Sequence, residues 1–147
     1  MSKSMQDYIT YDPSMSIDDV NKSLKIGLMN WLGIEVVEIL SDGLTATMPV
    51  NDHTMRPGGI LHGGSNLVLA ETLAGLGSIL FIDNQRYDPR GISVSSNHVG
   101  TATSGEVRAV ARLIHKGRTT HLWDIEIFRE DGKLISTSRV TNMIVEK

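Results

Sequence analysis

The chain has no cysteine, which excludes disulfides, thiolate metal sites and a cysteine nucleophile. It also lacks a large excess of charge: fourteen Lys and Arg stand against seventeen Asp and Glu, a formal net charge of −3. That balance argues against general nucleic-acid binding, which needs a basic face. There is no internal repeat, no low-complexity tract and no signal-like start, so the expectation is a cytoplasmic protein. His53, His115 and His121 show no metal-ligand spacing with a carboxylate, and no metal is assigned. Ser65 sits in GGSNL, not in the G-x-S-x-G of a nucleophile elbow, and GGILHGG lacks the Lys-Ser/Thr ending of a P-loop. Serine hydrolysis and nucleotide hydrolysis are therefore not indicated.

What is present is length enough for one real core: 147 residues, 40% apolar and 21% charged. A single domain is expected over 1–147, with 1–15 as an N-terminal arm. Its organising stretch is Arg56 to Ile82, RPGGILHGGSNLVLAETLAGLGSILFI, a glycine-rich approach and then a nearly charge-free helix from about Leu61 or Gly63 to Ile82. Glu71 is the one carboxylate on that helix. A helix apolar on all sides is expected to be buried, and a carboxylate in its middle is costly unless it has a task or a partner. The segment is no membrane span, because Glu71, Gly75 and Gly77 interrupt it and Asn66 opens it. At its start, His62-Gly63-Gly64 gathers unsatisfied N–H groups and the positive end of the helix dipole, a setting for an anion or a developing oxyanion.

Around this helix the chain reads in order. Ser16 and Asp19 resemble a capping box, and Ile17, Val20, Leu24 and Leu28 mark one face of a short helix; Met29 to Leu32 then turn the chain, with Trp31 read as packing. Ile34 to Leu40 and Leu44 to Met48 form a hairpin across Ser41-Asp42-Gly43, and Val50 to Gly59 is a loop. After a polar loop from Asp83 to Gly91 come strands at Ile92–Ala102, Val107–His115, Thr119–Phe128 and Lys133–Val145, joined by turns and expected as a four-stranded antiparallel meander. The fold class is α+β, one curved antiparallel sheet wrapped around a long central helix, with a short N-terminal helix.

Pro57-Gly58-Gly59-Ile60-Leu61-His62-Gly63-Gly64 followed by Leu69-Ala70-Glu71-Thr72 resembles the hotdog-fold acyl-CoA thioesterases, in the branch of the 1,4-dihydroxy-2-naphthoyl-CoA, 4-hydroxybenzoyl-CoA and phenylacetate-pathway enzymes. Ala46 to Val50 and the His115-Lys116-Gly117-Arg118 turn agree with it. The resemblance implies hydrolysis of an acyl-CoA thioester, with CoA as part of the substrate and no separate cofactor. It implies that the Gly63 N–H meets the thioester carbonyl, His62 sets substrate and water, and Glu71 attacks or activates water. Gly117 and Arg118 would lie near CoA's phosphates, and Arg56, Gly64 and Gly75 would line the substrate site. His98, on a strand next to Asn97, is a candidate to line the same pocket, with core or edge packing as the alternative. The chain departs from the family's habit at Arg56, where Gln is common, at Gly75, where Ser or Thr is common, and at Val99-Gly100. Ser78, two turns beyond Glu71, is too far along to replace the missing hydroxyl. The rivals are a hotdog dehydratase or hydratase, and an acyl-CoA-binding sensor without chemistry.

Gly63 and Glu71 are eight residues apart, so about 12 Å separates them along one helix, too far to flank one carbonyl. Two chains with antiparallel helices could pair Gly63 and His62 of one with Glu71 of the other. The resemblance implies the same shared-site homodimer, and a dimer of dimers, a homotetramer. Neither nucleic acid nor membrane is an expected partner.

Overall fold

The computed structural model describes residues 14–147; most of the expected arm at 1–15 lies outside them. Ser16 caps α1 (Ile17–Ser23), its Oγ accepting from the Asp19 N–H and donating to the Asp19 carboxylate. The single helix expected to reach Leu28 is instead broken. Ile26 is extended and Gly27 has φ +55°, after which α2 (Gly27–Leu32) begins. The break keeps Val20 and Leu24 buried but turns Leu28 outward. Met29 to Leu32 are thus helical, not a turn, and the turn follows at Gly33, left-handed with φ 69°. Trp31 is 62% exposed and lies outside the core. It stacks on His53, ring centroids 4.2 Å apart, while His53 Nδ1 is 3.0 Å from the Trp31 carbonyl oxygen.

The strands β1 (Glu35–Leu40) and β2 (Gly43–Pro49) form the expected hairpin. The segment Val50 to Gly59, read as a plain loop, holds a short strand β3 (Met55–Arg56), which pairs with β4 (Ile60–Leu61) just beyond it. Then come α3 (Gly63–Leu80), β5 (Tyr87–His98), β6 (Glu106–Lys116), β7 (Thr120–Arg129) and β8 (Leu134–Glu146). The six long strands make one antiparallel sheet in the order β1-β2-β6-β7-β8-β5. The meander therefore has three members, β6, β7 and β8. β5 is not beside β6 but at the far edge on β8, so Ser104-Gly105 ends a crossing segment rather than a tight turn. That segment is held by Leu61 N–H to Ala102 O, 2.8 Å, and Val50 N–H to Gly105 O, 2.8 Å. β5 also starts earlier than expected, with Pro89 inside it, because an edge strand has one side on which a missing N–H costs no ladder bond.

The sheet curves over one face of α3. Inward residues of β6 are small, Val107, Ala109 and Ala111, while β7 supplies Trp123, Ile125 and Ile127, all fully buried. The period of two along these strands meets Leu69, Leu73 and Gly77 of the helix. A buried polar cluster locks the contact. Ser78 Oγ accepts from Trp123 Nε1, 2.9 Å, and Asn142 Nδ2, 3.0 Å, and lies 3.0 Å from His121 Nδ1. With both acceptor positions filled, the hydroxyl proton must go to His121, which is therefore neutral with its proton on Nε2. Ser78 is consumed by this cluster and does not face Glu71's surroundings. Among the described residues, no helix is long and apolar enough to cross a membrane.

Two measurements check this packing. A Cβ at position 77 would run into the Trp123 ring, whereas one at 75 meets nothing within 4 Å. Gly77→Ala is expected to lose about 1–3 kcal/mol in denaturant unfolding, and Gly75→Ala to gain up to about 1 kcal/mol from helix propensity. Burial holds the His121 pKa below the ordinary histidine range, with Lys116 and then His115 acting in the same direction. The unfolded chain then takes up a proton near pH 6.5 that the folded chain refuses, so this contribution to stability is complete above about pH 6.5 and declines as pH falls below it. Unfolding free energies between pH 7.5 and 5 should fall less steeply in His121→Gln than in the unchanged chain.

Candidate active site

The approach to α3 is organised by Thr54, which is fully buried. Its hydroxyl donates to Pro49 O, 2.8 Å, and accepts from the Asn51 N–H, 3.0 Å; its carbonyl accepts from the His62 N–H, 2.8 Å, and Ser65 Oγ, 3.0 Å. One residue thus ties the end of β2 to the first turn of α3. His62 is the N-cap, and its Nδ1 accepts the Gly64 N–H at 2.8 Å. A ring nitrogen that accepts carries no proton, so the Nε2 of neutral His62 is a donor. The Gly63 N–H makes no hydrogen bond among the described residues. Two donors, from Gly63 and His62, are left at the positive end of an 18-residue helix.

Gly63 is also a tight place. A Cβ there would be 2.7 Å from His98 Nε2; His98 Nδ1 is in turn 3.0 Å from Ser136 Oγ. Beside them is a cavity of about 200 Å³, lined by Arg56, Gly63, Asn66 and His98 together with apolar residues that include Leu61 and Ile135. Arg56 reaches this cavity while its guanidinium donates to Pro57 O, 2.8 Å. The structure thus brings together Arg56, His62, Gly63, Gly64 and His98. Asn66 belongs with them and was missed: in GGSNL it reads as an ordinary helix-start residue.

Glu71 stands elsewhere. The expectation of burial is corrected, for its side chain is exposed, and it makes no hydrogen bond or ion pair among the described residues. The reason is that the sheet covers only one side of α3; Leu67, Val68, Glu71, Thr72, Gly75 and Ile79 lie on the side left partly open. The carboxylate rests over β5, where a Cβ on Gly91 would be 2.8 Å from Glu71 Oε1. Gly75, one turn on, adds only open space. Gly117 and Arg118 join β6 to β7 at the end of the sheet where His121 meets Ser78, the end opposite the His62 cap. Arg118 is exposed and has no ion pair among the described residues.

Comparison with known proteins gives this geometry its context. The family model described as the Thioesterase superfamily matches residues 58–136, which hold the whole of α3 and the stretch from Gly58 that leads into it. The chain belongs to the thioesterase superfamily. It is 35% identical to the 1,4-dihydroxy-2-naphthoyl-CoA hydrolase of Escherichia coli over 89% of this chain and 96% of that one. A Pseudomonas aeruginosa thioesterase, solved as a glutamine-to-alanine variant, superposes with a TM-score of 0.89 at 41% identity, covering 91% of this chain and 96% of that one. A Staphylococcus aureus relative superposes with a TM-score of 0.80 at 35% identity, over 82% of this chain and 100% of that one. The hotdog fold and a thioester-hydrolase activity follow from this membership. In the S. aureus protein, solved with a glutamate and, separately, a glutamine replaced by alanine, those two residues stand as far apart in sequence as Glu71 and Arg56 do here.

The seat of Glu71 on β5 can be tested in this thioester hydrolase. Gly91→Ala should displace the carboxylate and lower kcat/KM for thioester hydrolysis by about ten- to a hundredfold. An unchanged kcat/KM would mean that the position of this carboxylate is not critical.

Proposed function

We propose that the chain hydrolyses an acyl-CoA thioester to the free acid and CoA. The observation that carries the reading is the division of α3 into two chemical stations: unpaired donors at Gly63 and His62, and a lone carboxylate at Glu71 on its open face. In the step proposed, Glu71 takes a proton from water as the water oxygen attacks the thioester carbon. The carbonyl oxygen becomes an oxyanion held by the Gly63 N–H, with His62 Nε2–H as a second donor. Collapse breaks the C–S bond, and the proton returns to the departing sulfur, leaving acid and thiol. Direct attack by Glu71, followed by hydrolysis of the mixed anhydride, uses the same groups and gives the same products. Loss of one oxyanion donor would cost on the order of 10²–10³ in rate.

The two stations are about 12 Å apart along one helix, so the reading requires two chains. The half-open side of α3, with Leu67, Val68 and Ile79 on it, supports a covering partner. So does β5, a 12-residue strand at the sheet edge whose Ile92 is 55% exposed. In a two-fold dimer with antiparallel helices, Glu71 of one chain would meet Gly63 and His62 of the other. Arg118, which has no ion pair among the described residues and lies at the end of the sheet opposite His62, would approach the partner's donor end and could meet CoA's phosphates. Membership of a family that includes a named CoA hydrolase supports CoA as the thiol. A dimer of such dimers is the larger assembly we infer from the resemblance.

The test is complementation. Glu71→Gln should abolish turnover while thioester still binds, since the amide keeps the shape and loses the base. Glu71→Ala and His62→Ala, each nearly inactive alone, should on co-refolding in equal amounts regain about a quarter of wild-type activity, because half the dimers are mixed and each of these has one intact site. Folded, mixed protein with no regain would overturn the shared site.

A further inference from the structure

The cavity beside Gly63 contains a polar group that the reaction proposed above does not use. Asn66 is 3% exposed, and its Oδ1 is buried with no hydrogen-bond partner among the described residues. Its carboxamide makes no bond to any described residue. A buried amide in that condition is costly and calls for an explanation. Asn66 lines the same cavity as His98, whose Nδ1 is engaged by Ser136 and whose Nε2, with no partner among the described residues, faces Gly63. The remaining wall carries the apolar Ile60, Leu61, Ala102 and Ile135, together with Thr101 and with Arg56, whose guanidinium donates to Pro57 O. Residues three apart on a helix are neighbours on one face, so Asn66 lies within a turn of the Gly63 N–H.

We propose that Asn66, with His98 beside it, is a specificity subsite that receives a neutral hydrogen-bonding group of the thioester substrate. The inference rests on the reading that the thioester carbonyl meets the Gly63 N–H. A carbonyl held there places its near substituents within reach of Asn66. The group is neutral because the buried Asn66 Oδ1 needs a donor, which an anionic oxygen lacks, and because a cation would lie beside the Arg56 guanidinium on the same wall. A hydroxyl both donates to Oδ1 and accepts from Nδ2, so it satisfies the amide whichever way it is turned. An amide has the same two capacities. The chemistry has two possible sources in one substrate: a hydroxyl on the acyl group, or an amide in the arm of the thiol.

Two pairs of substrates separate the sources. In the first, a hydroxylated acyl group is compared with its deoxy counterpart on CoA. In the second, one acyl group is carried by N-acetylcysteamine or by a simple alkyl thiol of the same length. Each is measured with the unchanged chain, with Asn66→Leu and with Asn66→Ala, the smaller residue serving if leucine prevents folding, and folding is checked by melting temperature. The unchanged chain should prefer the hydrogen-bonding member of one pair by about tenfold or more in kcat/KM, and the Asn66 variants should bring that ratio close to one. Collapse in the first pair locates the group on the acyl side; collapse in the second, on the thiol arm. Equal ratios in all three proteins overturn the proposal and leave the amide to water or to a second copy of the chain. If the unchanged chain hydrolyses none of these thioesters, the proposed function has failed. Calorimetric affinities for the same four compounds then decide the subsite by the same comparison.

Discussion

The contact between Ser78 and the sheet sets everything that happens along α3. Three side chains from β7 and β8 converge on one hydroxyl, and Asn142 reaches on to the Ala74 carbonyl, 2.9 Å. Hydrogen bonds are directional in a way that apolar packing is not, so this cluster fixes the rotation of the helix as well as its position. Gly77, beside it, lets the helix close onto Trp123. A rotation by one residue, about 100°, would carry Glu71 off the open side and break the cluster together. Stability and the placing of the carboxylate are therefore the same constraint seen from two ends of the helix.

The other end is governed by the choice of cap. Serine or aspartate at the N-cap would satisfy an N–H equally well. An imidazole does so with one nitrogen and retains a second, chemically opposite one: Nδ1 accepts from Gly64, so Nε2 donates. Thr54 holds the backbone from which that ring projects, through hydrogen bonds to the segments on both sides of the small β3–β4 hairpin. The unbonded Gly63 N–H is then a product of local geometry, since the adjacent Gly64 and Ser65 N–H groups are taken up by His62.

Much of this was legible in the chain. Period-two strands, glycine turns and the long apolar run gave the α+β class and the bounds of α3 to within two residues. The HGG and AET groups carried the family. What failed has a common cause: it depended on partners distant in sequence. The apolar run looked the same on all sides, so sequence could not reveal that the sheet covers one side and leaves Glu71 exposed. Turn signals report local connections and so predict β5 beside β6, whereas its pairing with β8 is decided by how the crossing segment spans the end of the sheet. Asn66 carries no signal of its own in the sequence, because an asparagine in the first turn of a helix is ordinary and only the cavity around it sets it apart.

The two unsatisfied regions of the chain are also continuous with each other. Glu71 lies over Gly91, and Gly91 belongs to β5, the strand at the free edge of the sheet. The half-open side of the helix thus runs directly into an unpaired strand edge, and a single partner surface can cover both. A strand edge accepts backbone hydrogen bonds from a second strand, and the helix side offers apolar area around one carboxylate. A two-fold axis near this junction would pair β5 with its own copy and bring each α3 against the other, antiparallel. The carboxylate would then lose its exposure on assembly, at the place where the other chain's helix cap supplies donors. In such a dimer the solvent exposure of Glu71 in one chain would be the counterpart of the Gly63 N–H that has no partner among the described residues, each being half of a site divided along one helix.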